Sequence, residues 1–372
     1  AVGYQALKGS DTESNNTGLY NTALGHKALT SVSSGSFNVA VGSRSLMSNT
    51  SGIQNTAIGD NAMSENTTGN WNVALGAGAL KNNLSGFSST AIGLSSLGAN
   101  TTGLRNVAVG VNSLKMNTVG SANVAIGHSA LRDMSGVNTV TSIADNFSYS
   151  PSSENTAVGN FSMMHNTEGS FNTAFGYSSL QYNTTGFNNT SIGIYTLFQN
   201  YGGVSNTALG SFALNGVQNG IDNVAVGSGS GQDLANNSSN NTFLGSFAGG
   251  TSTNTINDAT GITNSVALGY GAKVATSNTI QLGNTDVTSV RTSGTVSATA
   301  FVGDGSGLTN VGGGALFDTR NNMVINGQSP STPSLNLAPT DNSSTTFNEA
   351  TGSSANNIMI GDNSGYALTT GY

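Results

Sequence analysis

The residues of this chain that could do chemistry are few: three histidines, 17 acids, two glycine-dense clusters and a set of aromatics. His26 and His128 each follow a glycine that recurs along the chain, and His165 stands elsewhere in the repeat. Zinc chemistry needs several donors brought together by spacings such as HExxH. The chain has no cysteine, no HExxH and no histidine paired in sequence with acids, so each histidine reads as a surface residue. Gly303-Asp304-Gly305-Ser306-Gly307 and Gly227-Ser228-Gly229-Ser230-Gly231 have the glycine content of phosphate loops. Neither is followed by the required lysine or by a helix that would lend its N-terminus, so both are turns. Calcium-binding rolls repeat GGxGxD, which is absent. No catalytic, metal or cofactor residue is assigned.

Aromatic positions are more suggestive. Phe37, Trp71 and Phe171 each precede the first asparagine of a repeat, with Phe87 and Phe187 one residue earlier. Rings beside a row of asparagines can stack on sugars. The competing reading is that they cover the end of a core between chains. Together with Phe147 and Tyr149, from a long insertion, Phe37, Trp71 and Phe171 form the set of candidate ligand-contact residues.

What positions these residues is a repeat. The triplet Ala-(Ile/Leu/Val)-Gly and its variants recur fifteen times, with the glycine at Gly3, Gly25, Gly42, Gly59 and onward to Gly269. Spacing is 17 residues from Gly25 to Gly127 and again from Gly159 to Gly227, and the remaining gaps are longer. A short fixed period interrupted by whole-loop insertions is the mark of a solenoid. Seventeen residues are too few for a β-α-β unit, and no 3.6-residue apolar period is present. The sequence therefore predicts an all-β, parallel β-roll solenoid of about 15 coils, with two short strands per coil.

Within the stretch Asn55 to Gly69, Thr56 and Ile58 share one face of a period-2 strand and Ala57 lies on the other. The bulkier pair is assigned to the core, together with Met63, four residues past the glycine. Ala57 is assigned to a shallow outer face suited to another chain. On this assignment Ile58→Asp would bury an unpaired charge. A second glycine (Gly52, Gly69, Gly86) closes each coil, supplying positive φ, and an asparagine such as Asn66 caps the turn. All four prolines fall outside the regular coils.

Four regions follow: a repeat head over 1–283, an extended β neck over 284–316, a proline-containing connector over 317–351, and the start of a second repeat domain over 352–372. Both ends fall inside repeats, as expected of a window from a longer polypeptide. Insertions follow Leu7 and run from about Val137 to Pro151, Gly231 to Asn240 and Gly250 to Gly261. From Asp133 to Ala272 there is no lysine or arginine, whereas seven acids fall there. Nothing basic could track a phosphate backbone along that half, so nucleic acid is not expected as a partner. No run of eighteen apolar residues exists, so no membrane insertion is expected within these residues.

The residues Asn264-Ser265-Val266-Ala267-Leu268-Gly269-Tyr270-Gly271-Ala272 resemble the YadA-like head repeat of trimeric autotransporter adhesins. The resemblance spans roughly residues 1–283 and resumes near Asn357, although the 17-residue spacing exceeds the family's shorter period. It implies a left-handed roll and a homotrimer packed around one axis. Phe301 to Asn310 resembles a segment common in bacteriophage tail-fibre proteins. Resemblance and composition together imply a non-enzymatic, extracellular fibre or adhesin segment. It would belong to a virion, an injection machine or a bacterial surface, and would bind a host-cell surface receptor or glycan. The alternative is a polysaccharide-degrading solenoid, which would need paired carboxyls about 5 to 9.5 Å apart on neighbouring coils. In the 133–272 stretch, acids at matching positions of successive coils are missing.

Overall fold

A computed structural model of the chain describes residues 1–9, 16–135, 153–250, 261–294 and 297. Its core element is a fifteen-stranded parallel sheet, in which each three-residue strand pairs with the equivalent strand of the next coil. The first is Thr22–Leu24 and the last Ile280–Leu282. Register is set by the repeat itself, Thr56 facing Val73, Ala57 facing Ala74 and Ile58 facing Leu75. It survives the long insertion, since Val124 pairs with Thr156 across a 32-residue step, and the shortened last repeat, where Val266 pairs with Ile280. Loops can lengthen at little entropic cost because the stacked rungs already hold their ends together. The solenoid occupies residues 1–290. Residues 284–294, at the start of the expected neck, contain no strand, and nearly all of the chain beyond them lies outside the described residues, including the connector and the expected second repeat domain.

The strand assignment inverts. Ala57 is fully buried, whereas Ile58 is 38% exposed. The same holds along the sheet: alanines of the triplet line the interior, and Leu24, Leu75, Ile92, Ile126 and Leu209 face out. Period-2 alternation fixes that neighbours lie on opposite faces but not which face is inside. The opposite wall decides, because Leu46, Met63, Leu80, Leu97 and Leu114 are all fully enclosed. A narrow coil filled from one wall by Leu or Met has room for only a methyl from the other. The alanine row is therefore the coil's own core and cannot be a chain-chain face.

The Leu/Met wall is not a second strand in most coils. Its backbone alternates, with Gly59, Asn61 and Met63 at φ 139°, 55° and 52°. Leu80, Leu97 and Leu114 repeat the left-handed conformation, unusual for bulky residues. It is tolerated because every rung is tied to the next, Met63 N–H to the Ala79 carbonyl at 2.9 Å and Leu80 N–H to the Ser96 carbonyl at 3.0 Å. Among the described residues this wall forms strands only where Gly249–Gly250 pairs with Lys273–Val274.

Two asparagine ladders complete the interior. Asn55 donates from its amide to the Gly69 carbonyl (2.8 Å) and to the Asn38 side-chain oxygen (3.2 Å). Its own oxygen accepts from the Asn72 backbone N–H and side chain. In the second ladder Asn66 donates to Asn49 (2.8 Å) and to the Gly69 carbonyl (3.1 Å), which is the expected turn cap extended from coil to coil. Gly69 does not adopt a positive φ. It must be glycine because a Cβ there would collide with the Asn66 side chain and the Gly86 carbonyl. Gly59 needs both properties, since its φ is 139° and a Cβ would strike the Gly76 carbonyl oxygen.

Candidate ligand-contact surface

With the alanines inside, the outer face of the sheet carries two rows, Thr or Val at the strand start and an aliphatic residue or Phe175 at its end. This makes a continuous apolar strip along all the coils. Single exposed apolar residues need no explanation, but a contiguous strip marks an interaction surface.

Of the aromatic residues expected to contact ligand, Phe37 and Trp71 point outward, Trp71 being 52% exposed. Phe37 stacks on Tyr20 with centroids 5.0 Å apart. The Trp71 indole N–H donates to Gln54 Oε1 at 2.7 Å, and its ring meets Phe87 edge-on, with Arg105 lying over Phe87. Phe171 is half-buried and stands several coils away from Trp71. The structure does not bring these three together. Phe147 and Tyr149 lie outside the described residues.

A different group of rings does converge. His128, Phe161, Tyr177, Tyr195 and Phe212 stand on five successive coils, one ring per coil, just after the repeat glycine. Their centroids are separated by 5.3, 5.7, 5.4 and 5.4 Å. The first three contacts are edge-on and the last is stacked. Tyr195 also meets Phe198, which leads through Tyr182 to His165 as a second track. A hydrogen bond with Tyr177 holds the Tyr195 phenol above its ordinary value. The rings occupy either the first or the second place after the glycine, so no single column of the repeat reveals them. A count of aromatics within two residues of that glycine would have found them.

One polar cluster borders this band. Asp133 takes two bonds from the Arg132 guanidinium, at 2.6 and 2.9 Å, and one contact from His165 Nδ1 at 2.9 Å on the next coil. Burial pushes the Asp133 carboxyl up, but the hydrogen bonds and charges of Arg132 and His165 outweigh it, leaving it below the usual carboxylate range. The carboxylate is thus committed to bracing two coils. Among the described residues no group of three metal-ligating side chains gathers, and no helix is long and apolar enough to cross a membrane.

Fold and surface define the class of this molecule as a parallel β-solenoid with an asparagine-laddered core and an apolar outer strip. No family model matches the chain, and no curated protein matches it significantly.

Proposed function

We propose that the chain is a segment of an extracellular, homotrimeric fibre or adhesin. In this reading three left-handed solenoids pack by their outer sheet faces and attach a virion, injection machine or cell to a host-surface receptor or glycan. The observation that carries the reading is the unbroken apolar strip running through Leu24, Ile58, Ile92, Ile126, Ile192 and Leu209, which the coil's own core leaves uncovered. A thin solenoid that buries alanine and one Leu or Met per coil gains much by covering that strip. The resemblance of Asn264 to Ala272 to YadA-like head repeats supports the same arrangement. In sequence, the insertions all fall between the Leu/Met position of one coil and the strand of the next. Three copies of a weak loop or surface site would then act together by avidity.

Mass photometry or sedimentation tests the assembly: three chains are expected, and a stable monomer would remove the trimer. Attachment of the labelled full chain to host cells tests the function, and a chain that holds to no cell surface would remove it.

A further inference from the structure

The ring ladder from His128 to Phe212 is confined to five coils, whereas the aliphatic strip runs through the whole sheet. A chain-chain interface of full length does not call for a local aromatic track, so the ladder has a different occupant. We propose that it is the platform for a neutral, extended pyranose chain lying along the stacking direction of the coils. This rests on the adhesive function above and gives it a ligand class and a place.

Spacing carries the first part of the argument. The rings repeat every 5.3 to 5.7 Å, close to the rise of one strand and comparable to that of one extended sugar residue. Tyr177 and Phe212 are 42% and 44% exposed, so the track is open to a ligand. Because adjacent planes cross at 82° to 87° over the first four rings, those pairs do not close into a sandwich that hides both faces. The electron-rich face of an aromatic ring suits the C–H face of a pyranose, which is both apolar and slightly positive at its hydrogens.

Rigidity carries the second. Phe161 N–H donates to the His128 carbonyl, Tyr195 N–H to the Tyr177 carbonyl and Phe212 N–H to the Ile194 carbonyl. The rings therefore sit on hydrogen-bonded rungs and a ligand orders little on binding. Hydroxyl partners are at hand in the two phenols and in exposed Asn160 beside Phe161.

Charge selects among sugars. The stretch from Asp133 to Ala272 contains no lysine or arginine but does contain Glu154, Glu168 and Asp222. With Arg132 held by Asp133, a uronic or sulfated chain would find no free lysine or arginine on these coils to offset its charge within a net-negative stretch, whereas a neutral chain needs none.

The test uses the full chain and calorimetric titration with neutral hexasaccharides (cellohexaose, chitohexaose, maltohexaose and mannohexaose), with hexagalacturonate as the anionic control. At least one neutral hexasaccharide binds and hexagalacturonate does not. Tyr177→Ala and Phe212→Ala each weaken binding about five- to tenfold, Tyr177→Phe weakens it less, and replacing Tyr4, an exposed ring on the first coil away from the ladder, by Tyr4→Ala leaves it unchanged. Circular dichroism and chain number stay as in the parent. If an alanine variant loses the parent β spectrum, Tyr177→Phe and Phe212→Leu decide in its place, the latter keeping bulk without a ring. Failure of every neutral hexasaccharide to bind, preference for hexagalacturonate, or ring variants that bind like the parent would overturn the proposal. So would a changed chain number, which would make the rings an interface between copies. If parent and ring variants attach to cells equally, the ladder falls and the adhesive function stands; if the parent attaches to no surface, that function falls first.

Discussion

Ala57 and Ile58 are consecutive residues on opposite sides of one coil wall, the first sealed against Met63's side of the core and the second partly exposed on the outer strip. Their responses to the same substitution should differ accordingly. Ala57→Asp places an unpaired carboxylate in a closed interior and costs several kcal/mol, of the order of 3 to 5, enough to open the coil locally. Ile58→Asp leaves the coil folded and, in the proposed trimer, weakens association between chains. Hydrogen exchange over residues 56–80, read beside chain number, separates the two. Loss of protection in the Ile58 variant with intact protection in the Ala57 variant would reverse the assignment of inside and outside.

That pair also marks what the sequence could and could not disclose. The 17-residue step, the parallel stacking and the enclosed Leu/Met row were legible because each repeats in phase. Which strand face is buried was not, since alternation offers two equal choices and the bulkier side chains face outward. The left-handed backbone of Met63 and Leu80 runs against local preference and is held by the rungs on either side. The asparagines were legible as turn caps but not as buried ladders, because asparagine is seldom buried alone; stacked, each one's oxygen accepts from the next one's amide. The aromatic ladder was hidden by its shift between two columns of the repeat.

The asparagine ladder carries a graded prediction at Asn72. Its amide donates to the Gly86 carbonyl and to Asn55, and its oxygen accepts from Ser89 N–H. Asn72→Ala leaves those buried partners short and costs about 3 kcal/mol, since each buried group left unpaired costs roughly 1 to 3. Asn72→Ser costs less. The chain already places a serine at the equivalent position, where Ser89 Oγ accepts from Asn106 N–H at 3.2 Å. Urea midpoints of the three proteins give the order, and equal midpoints for alanine and serine would mean that the ladder's oxygen contributes nothing to stability.

Acid should loosen the brace at the base of the long insertion. The Asp133 carboxyl titrates lower in the folded chain than in the unfolded one, so its contribution is complete above the unfolded carboxylate range, about pH 4. It is lost as pH falls through the lower folded value. Melting temperature should therefore drop more steeply on acidification in the parent than in Asp133→Asn, which has no carboxylate to protonate. Parallel acid curves for the two proteins would show that Asp133 does not brace these coils.

The second ladder is interrupted at Met134, and the interruption makes a counterintuitive substitution tolerable. Asn49, Asn66, Asn83, Asn100 and Asn117 pass hydrogen bonds in series, but the next coil offers the fully buried Met134. Asn117 Oδ1 is left without a partner among the described residues, and beyond the methionine Asn166 restarts the series. Exchanging a buried apolar side chain for an amide ordinarily costs several kcal/mol. At Met134 the new amide can donate to Asn117 while its oxygen accepts from Asn166, joining both segments. These gains, about 1 to 3 kcal/mol per group satisfied, offset the lost burial of about 2 kcal/mol. Met134→Asn should thus stay within about 1 kcal/mol of the parent, while Leu80→Asn, which meets no such pair, loses about 3 or more. Urea unfolding of both variants decides it: equal losses at the two positions would mean that the ladder cannot be bridged.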